Sequence, residues 1–104
     1  MVVRAYKNII GSHNEFVLSR QFLKSGTAPG ALVREAEYAQ SKLDFISKLS
    51  IALKEANECE YWVDLLKDGA YIDDYESKML VSANKDIICI LIASIKTAKV
   101  NNQK

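Results

Sequence analysis

Between residues 45 and 66, apolar side chains recur at alternating intervals of four and three: Phe45, Leu49, Ala52, Ala56, Cys59, Val63 and Leu66. That period places one stripe along a helix and matches the seam by which helices pack side by side. The ends carry their own signals. Ser41 and Asp44 supply a side-chain oxygen for unpaired amides and an acid near the positive end of the helix dipole. Gly69, after Lys67 and Asp68, is expected to stop the helix in the left-handed region. The spacing therefore predicts a helix over 41–68. Ile46 and Leu53 widen its stripe. Leu43, Ile51, Tyr61, Trp62 and Leu65 fall outside it, where a helix of a monomeric bundle should be polar. A second apolar strip points to a second partner.

Residues 73–99 read as the next helix, with Asp73 and Glu76 at the start and Lys96 and Lys99 suited to the negative end. The run Ile87 to Ala93 makes its surface apolar on nearly every side, and such a helix must be covered on every side. Ile90 sits at the centre of that run, so contact between copies is expected there. Residues 2–10 predict a short first helix, ending near Gly11 and Ser12. In 13–39, Leu18, Phe22, Ser25, Pro29, Leu32 and Ala36 keep phase across Ser25-Gly26-Thr27-Ala28-Pro29-Gly30-Ala31, which alone would read as a loop. The preserved phase favours one helix bent at Pro29. The rival is two helices, with Gly26 ending the first and Thr27 capping the second.

The chain is 104 residues, enough for one domain spanning 1–104. An apolar fraction of 49% excludes disorder, and one Pro with four Gly disfavours an all-β fold. The longest apolar run has seven residues, whereas a membrane span needs about 20. Two Cys without a CxxC pattern, and no signal peptide, suggest a cytoplasmic protein. The net charge of +1 argues against binding of nucleic acid by bulk electrostatics alone, yet the charges are segregated: +4 over residues 1–34, −7 over 35–76 and +4 over 77–104.

Catalytic chemistry finds little support. The only His is His13, in an expected turn, and a nucleophile needs a base placed beside it. Cys59 on the seam and Cys89 in the apolar run read as buried, inert thiols. Glu55, Glu58 and Glu60 cluster without the Glu-x-x-His of a di-iron bundle, so they read as a solvated acidic face. Glu60 falls in the apolar sector by angle and calls for a basic partner from another helix or another copy. The chain is therefore expected not to be an enzyme and to hold no cofactor or metal. The clearest functional clue is basic. On a continuous helix Arg20, Lys24 and Arg34 share one narrow arc with Tyr38, and such a stripe could track phosphates and stack a base. The plain alternative is a solvated face, or one paired with the acids of 35–76.

As a string, residues 16–66 closely resemble the bacterial four-helix-bundle family named for proteins encoded in intervening sequences of 23S ribosomal RNA. The likeness is carried by Leu18-Ser19, Gln21 and Leu23, by Ser25-Gly26-Thr27, Gly30-Ala31 and Arg34-Glu35-Ala36. It continues through Ser41, Asp44-Phe45-Ile46, Lys48-Leu49, Ile51-Ala52-Leu53-Lys54-Glu55-Ala56, Glu58 and Glu60-Tyr61-Trp62. The resemblance implies an antiparallel up-down bundle of four helices that assembles as a ring, typically five-fold. Most members have no assigned activity; a relative serves diversity-generating retroelements, binding nucleic acid and a reverse transcriptase. This chain departs from the family in a late-starting first helix, read as short or truncated, in Pro29, and in being far less basic than the retroelement relatives. The combined expectation is an all-α homo-oligomer, a pentamer by resemblance, binding RNA or a ribonucleoprotein through Arg20, Lys24, Arg34 and Tyr38. Leu43, Ile51, Tyr61, Trp62, Leu65 and Ile90 are the expected oligomer contacts. The alternative is a protein-binding scaffold without nucleic-acid affinity.

Overall fold

The four-three seam runs inside a single helix, and two neighbours bury it from end to end. The structure, a computed structural model, describes residues 1–103. Four helices follow in order: α1 (Val2–His13), α2 (Val17–Ala36), α3 (Lys42–Asp68) and α4 (Asp74–Gln103). There is no strand among the described residues, and no helix among them is long and apolar enough to cross a membrane. Each helix packs on the next in sequence, within a rod 52 Å long.

The core has two halves. At one end Ala5 and Ile9 of α1, Phe22 of α2, Cys59, Val63 and Leu66 of α3, and Leu80 of α4 pack together with Ile72. At the other end Ala36 of α2, Leu49, Ala52 and Ala56 of α3, and Leu91 and Ile95 of α4 form the second cluster. The start of α2 thus meets the end of α3, and the start of α3 meets the end of α4, which makes these neighbours antiparallel. The first half draws on all four helices and the second on three. α1 has 12 residues and α4 has 30, about 18 Å against 45 Å of helix. α1 therefore lies against the first half only.

The helix ends show how local sequence sets these lengths. Ser41 caps α3, its hydroxyl accepting from the Asp44 amide at 3.0 Å, and Asp44 accepts in turn from the Gln40 amide at 3.2 Å. Asp73 accepts from the Glu76 amide at 2.7 Å at the start of α4. The stop of α3 differs from expectation. Gly69 has φ −80°, and the left-handed residue is Ala70, with φ 62°. The Tyr71 amide donates to Leu66 O and the Ala70 amide to Lys67 O, the crossed pair of a Schellman stop with Ala70 at its left-handed position. Gly69 serves a different need: a Cβ there would stand 2.9 Å from the Tyr71 ring.

α2 passes Pro29 unbroken, as the preserved phase implied, and neither Gly26 nor Thr27 marks a boundary. The small residues admit a close neighbour. A Cβ on Gly26 would stand 2.7 Å from a Val2 methyl, so α1 crosses α2 where there is no side chain to obstruct it. α2 is shorter than expected, 17–36 in place of 13–39. Its start is set by Glu15, whose carboxylate accepts from the backbone amides of Val17, Leu18 and Ser19 at 2.9, 2.7 and 2.7 Å. Burial by itself would raise the Glu15 pKa. The hydrogen bonds from Leu18, Ser19 and Val17 outweigh it and hold the carboxyl below its ordinary value.

A carboxyl lowered by folding stabilises the fold fully above its unfolded pKa and loses that contribution as pH falls through the folded one. At neutral pH, Glu15→Ala should cost about 1 kcal/mol, as removal of a helix cap does. Urea unfolding across pH should show that difference constant above pH 4.5, the group's ordinary value, and shrinking in more acid solution. A difference independent of pH would contradict the capping role.

Candidate functional site

The three cations expected to share a face lie on one helix. Arg20, Lys24 and Arg34 are all exposed on the continuous helix, Arg20 and Arg34 about 21 Å apart along its axis. Tyr38 lies just beyond the last residue of α2: its amide donates to Glu35 O in a tight turn, and the residue is 82% exposed. The stripe is not neutralised by the acidic middle of the chain. Among the described residues the ion pairs are Lys48 with Glu35 at 3.8 Å and with Asp44 at 3.6 Å, and Lys67 with Asp74 at 3.9 Å. None engages Arg20, Lys24 or Arg34, and Lys48 holds the nearest acid on α2.

α4 carries a second cationic face, of which sequence reasoning finds only Lys96 and Lys99, as end charges. At 100° per residue, Lys78, Lys85, Lys96 and Lys99 lie within about 60° of arc on α4, and all four are exposed. Helical phase, the signal that locates the α2 stripe, also locates this one. The apolar run through Ile87 to Ala93 masks it by separating the lysines along the chain.

The residues expected at an oligomer contact divide into two groups. Leu43, Ile51, Tyr61 and Ile90 are exposed. Trp62 and Leu65 are half-buried, and Trp62 packs against the first core cluster, so the chain itself covers part of what sequence assigns to a partner. On α4, Ile87 and Ile90 remain open, 42% and 65% exposed. Ile87 faces Gly26, Pro29, Gly30 and Val33 of α2 across a groove of about 840 Å³.

The acidic residues do not converge. By helical angle Glu60 stands about 160° from Glu58, and no group of three or more His, Cys, Asp and Glu side chains is placed to hold a metal among the described residues. Glu60 has no ion-pair partner among those residues, and one carboxylate oxygen of Glu55 is buried without a hydrogen bond. The two thiols also differ from each other. Burial pushes Cys59 up to about 11, eased by a hydrogen bond with Ser25 and reinforced by the Glu60 charge. Cys89, expected to be buried, is exposed, because its helical angle turns it out of the α3–α4 seam.

These features sit on a recognised framework. The family model for the 23S rRNA-intervening sequence protein matches residues 1–93. The chain belongs to that family. A crystal structure from Bacteroides thetaiotaomicron, described as a protein of unknown function from the S23 ribosomal protein family, is similar throughout. It is 48% identical, with a TM-score of 0.89 over 91% of this chain and 88% of that one. No match is found among curated proteins. Membership in the family and the fold it implies are therefore established, while the chemistry of the surface must be argued from the residues themselves.

Thiol modification separates the two cysteines. In the folded protein one thiol per chain, Cys89, should react promptly with a disulfide reagent at neutral pH, and Cys59 should react only in denaturant. Equal prompt reaction of both would contradict the burial of Cys59.

Proposed function

We propose that the protein is a non-catalytic, self-associating module that binds RNA, free or within a ribonucleoprotein, through the basic face of α2. The observation that carries this reading is the set of three exposed cations, Arg20, Lys24 and Arg34, on one unbroken helix with no acid paired to them among the described residues. Three cations bind phosphate weakly, and a net charge of +1 adds no general attraction. Association of copies would multiply the stripe. The groove between α2 and Ile87 of α4, and the exposure of Ile87 and Ile90, support such association. The resemblance to retroelement accessory proteins, which bind nucleic acid, favours the same class of partner. The five-fold ring belongs to this proposal on the strength of the resemblance.

A second reading, a protein-binding scaffold without nucleic-acid affinity, draws on the same apolar openings, since Leu43, Ile51 and Ile90 could equally seat another protein. Salt dependence decides between the two. The affinity for single-stranded RNA, followed by anisotropy, should fall with salt. Arg20→Gln, Lys24→Gln and Arg34→Gln each leave one phosphate fewer neutralised, and each should lower the log–log slope by about 0.7. Unchanged slopes would exclude the α2 face. Absence of binding at low salt would leave the scaffold.

A further inference from the structure

Between α2 and α3 lies a groove of about 860 Å³, and it unites residues that the sequence pattern assigns to different tasks. Its walls include Gln21 and Lys24 of α2 and Lys54, Glu58, Tyr61 and Trp62 of α3. Lys24 belongs to the basic face, whereas Tyr61 and Trp62 fall by spacing in an apolar oligomer strip. Trp62 is anchored by its packing on the core. Tyr61 stands nearly edge-on to it, with ring centroids 5.0 Å apart and planes at 70°, and is 57% exposed. The groove therefore presents a free aromatic face braced by a fixed one. Its walls carry an ammonium group from each of two helices, and neither Lys24 nor Lys54 is in an ion pair among the described residues.

The chemistry of the lining narrows the occupant. A purely apolar partner would strip water from Lys24, Lys54, Glu58 and Gln21 without replacing their hydrogen bonds, which is costly. A double helix would offer phosphates to the lysines but keep its bases stacked out of reach of the rings. An unpaired nucleotide offers both a charged phosphate and a flat base, and stacking on aromatic side chains tolerates any base. Glu58, an acceptor only, suits the amino groups of a base edge or the ribose 2′-hydroxyl. The volume lies within the range of small-ligand sites. We propose that this groove seats one unpaired nucleotide of single-stranded RNA, its base against Tyr61 and its phosphate between Lys24 and Lys54. The assignment rests on the RNA-binding reading above and supplies its point of preference for single strands.

Trp62 is the sole tryptophan, so all tryptophan emission comes from a residue that lines this groove. The test titrates wild type, Lys54→Gln and Tyr61→Leu with a labelled single-stranded RNA oligomer, with the same sequence as a duplex, and with a nucleoside monophosphate. Lys54 and Tyr61 are exposed, and circular dichroism checks that both variants keep their helices. The single strand should change Trp62 emission and the duplex should not. Tyr61→Leu should weaken single-strand binding about tenfold. Lys54→Gln should weaken it and reduce the salt slope by about 0.7. Binding seen by anisotropy with unchanged Trp62 emission, and equal in both variants, would overturn the groove assignment while leaving the α2 face intact. No RNA binding at low salt would overturn both. A monophosphate that changes the emission where the oligomer does not would make this a free-nucleotide site and overturn the assignment. So would a Tyr61→Leu variant whose altered property is its solution mass, which would mark the groove as a seat for a second copy.

Discussion

The structure depends on the apolar seam of α3 being covered along its whole length. Leu49, Ala52, Ala56, Cys59, Val63 and Leu66 are each 3% exposed or less, so α2 and α4 must both lie against α3 from end to end. Burying such side chains is worth roughly 1.5–3 kcal/mol for each large one, and opening a cavity at any of them costs still more. Asn84 holds the α3–α4 alignment, its amide donating to the Ala56 carbonyl at 2.8 Å inside the core. Gly26 holds the other side by letting α1 approach α2 within side-chain contact. With these pairings set, Val33 of α2 and Ile87 and Ile90 of α4 remain exposed.

Much of this is legible in the residues. The α3 boundaries can be read almost to the residue because the seam, the Ser41 cap and the turn after Asp68 all agree. The continuity of α2 is legible because phase survives Pro29, even though its composition imitates a loop. What escapes depends on contacts that periodicity does not encode. Glu15 is not a usual capping type, and it caps α2 only because its backbone carbonyl and its carboxylate both meet the first turn. Gly69 has the residue type of a left-handed stop, yet the Tyr71 ring claims the space above it and the positive φ passes to Ala70. Cys89 has apolar neighbours in sequence that suggest burial, but a helix sorts residues by angle, not by neighbourhood.

The candidate sites divide along the same line. The α2 stripe can be found by counting, because it lies on one helix. The groove between α2 and α3 cannot, since it brings Lys24 to Tyr61 and Trp62 across 37 and 38 positions of chain, through a pairing that only folding supplies. The residues of the expected oligomer strip are at least partly exposed, five of them on one side of α3 and Ile90 on α4. Trp62 packs against the first core cluster, while Ile90 is 65% exposed.

The central claim is the proposed self-association, in which other copies of the chain cover Ile87 and Ile90, side chains that this chain leaves exposed. Light scattering coupled to size exclusion tests it most directly. The claim predicts a molar mass that is a multiple of the 11.7 kDa chain, falling toward a single chain when Ile87 and Ile90 are both replaced by Glu. A wild-type mass of one chain at micromolar concentration would contradict it.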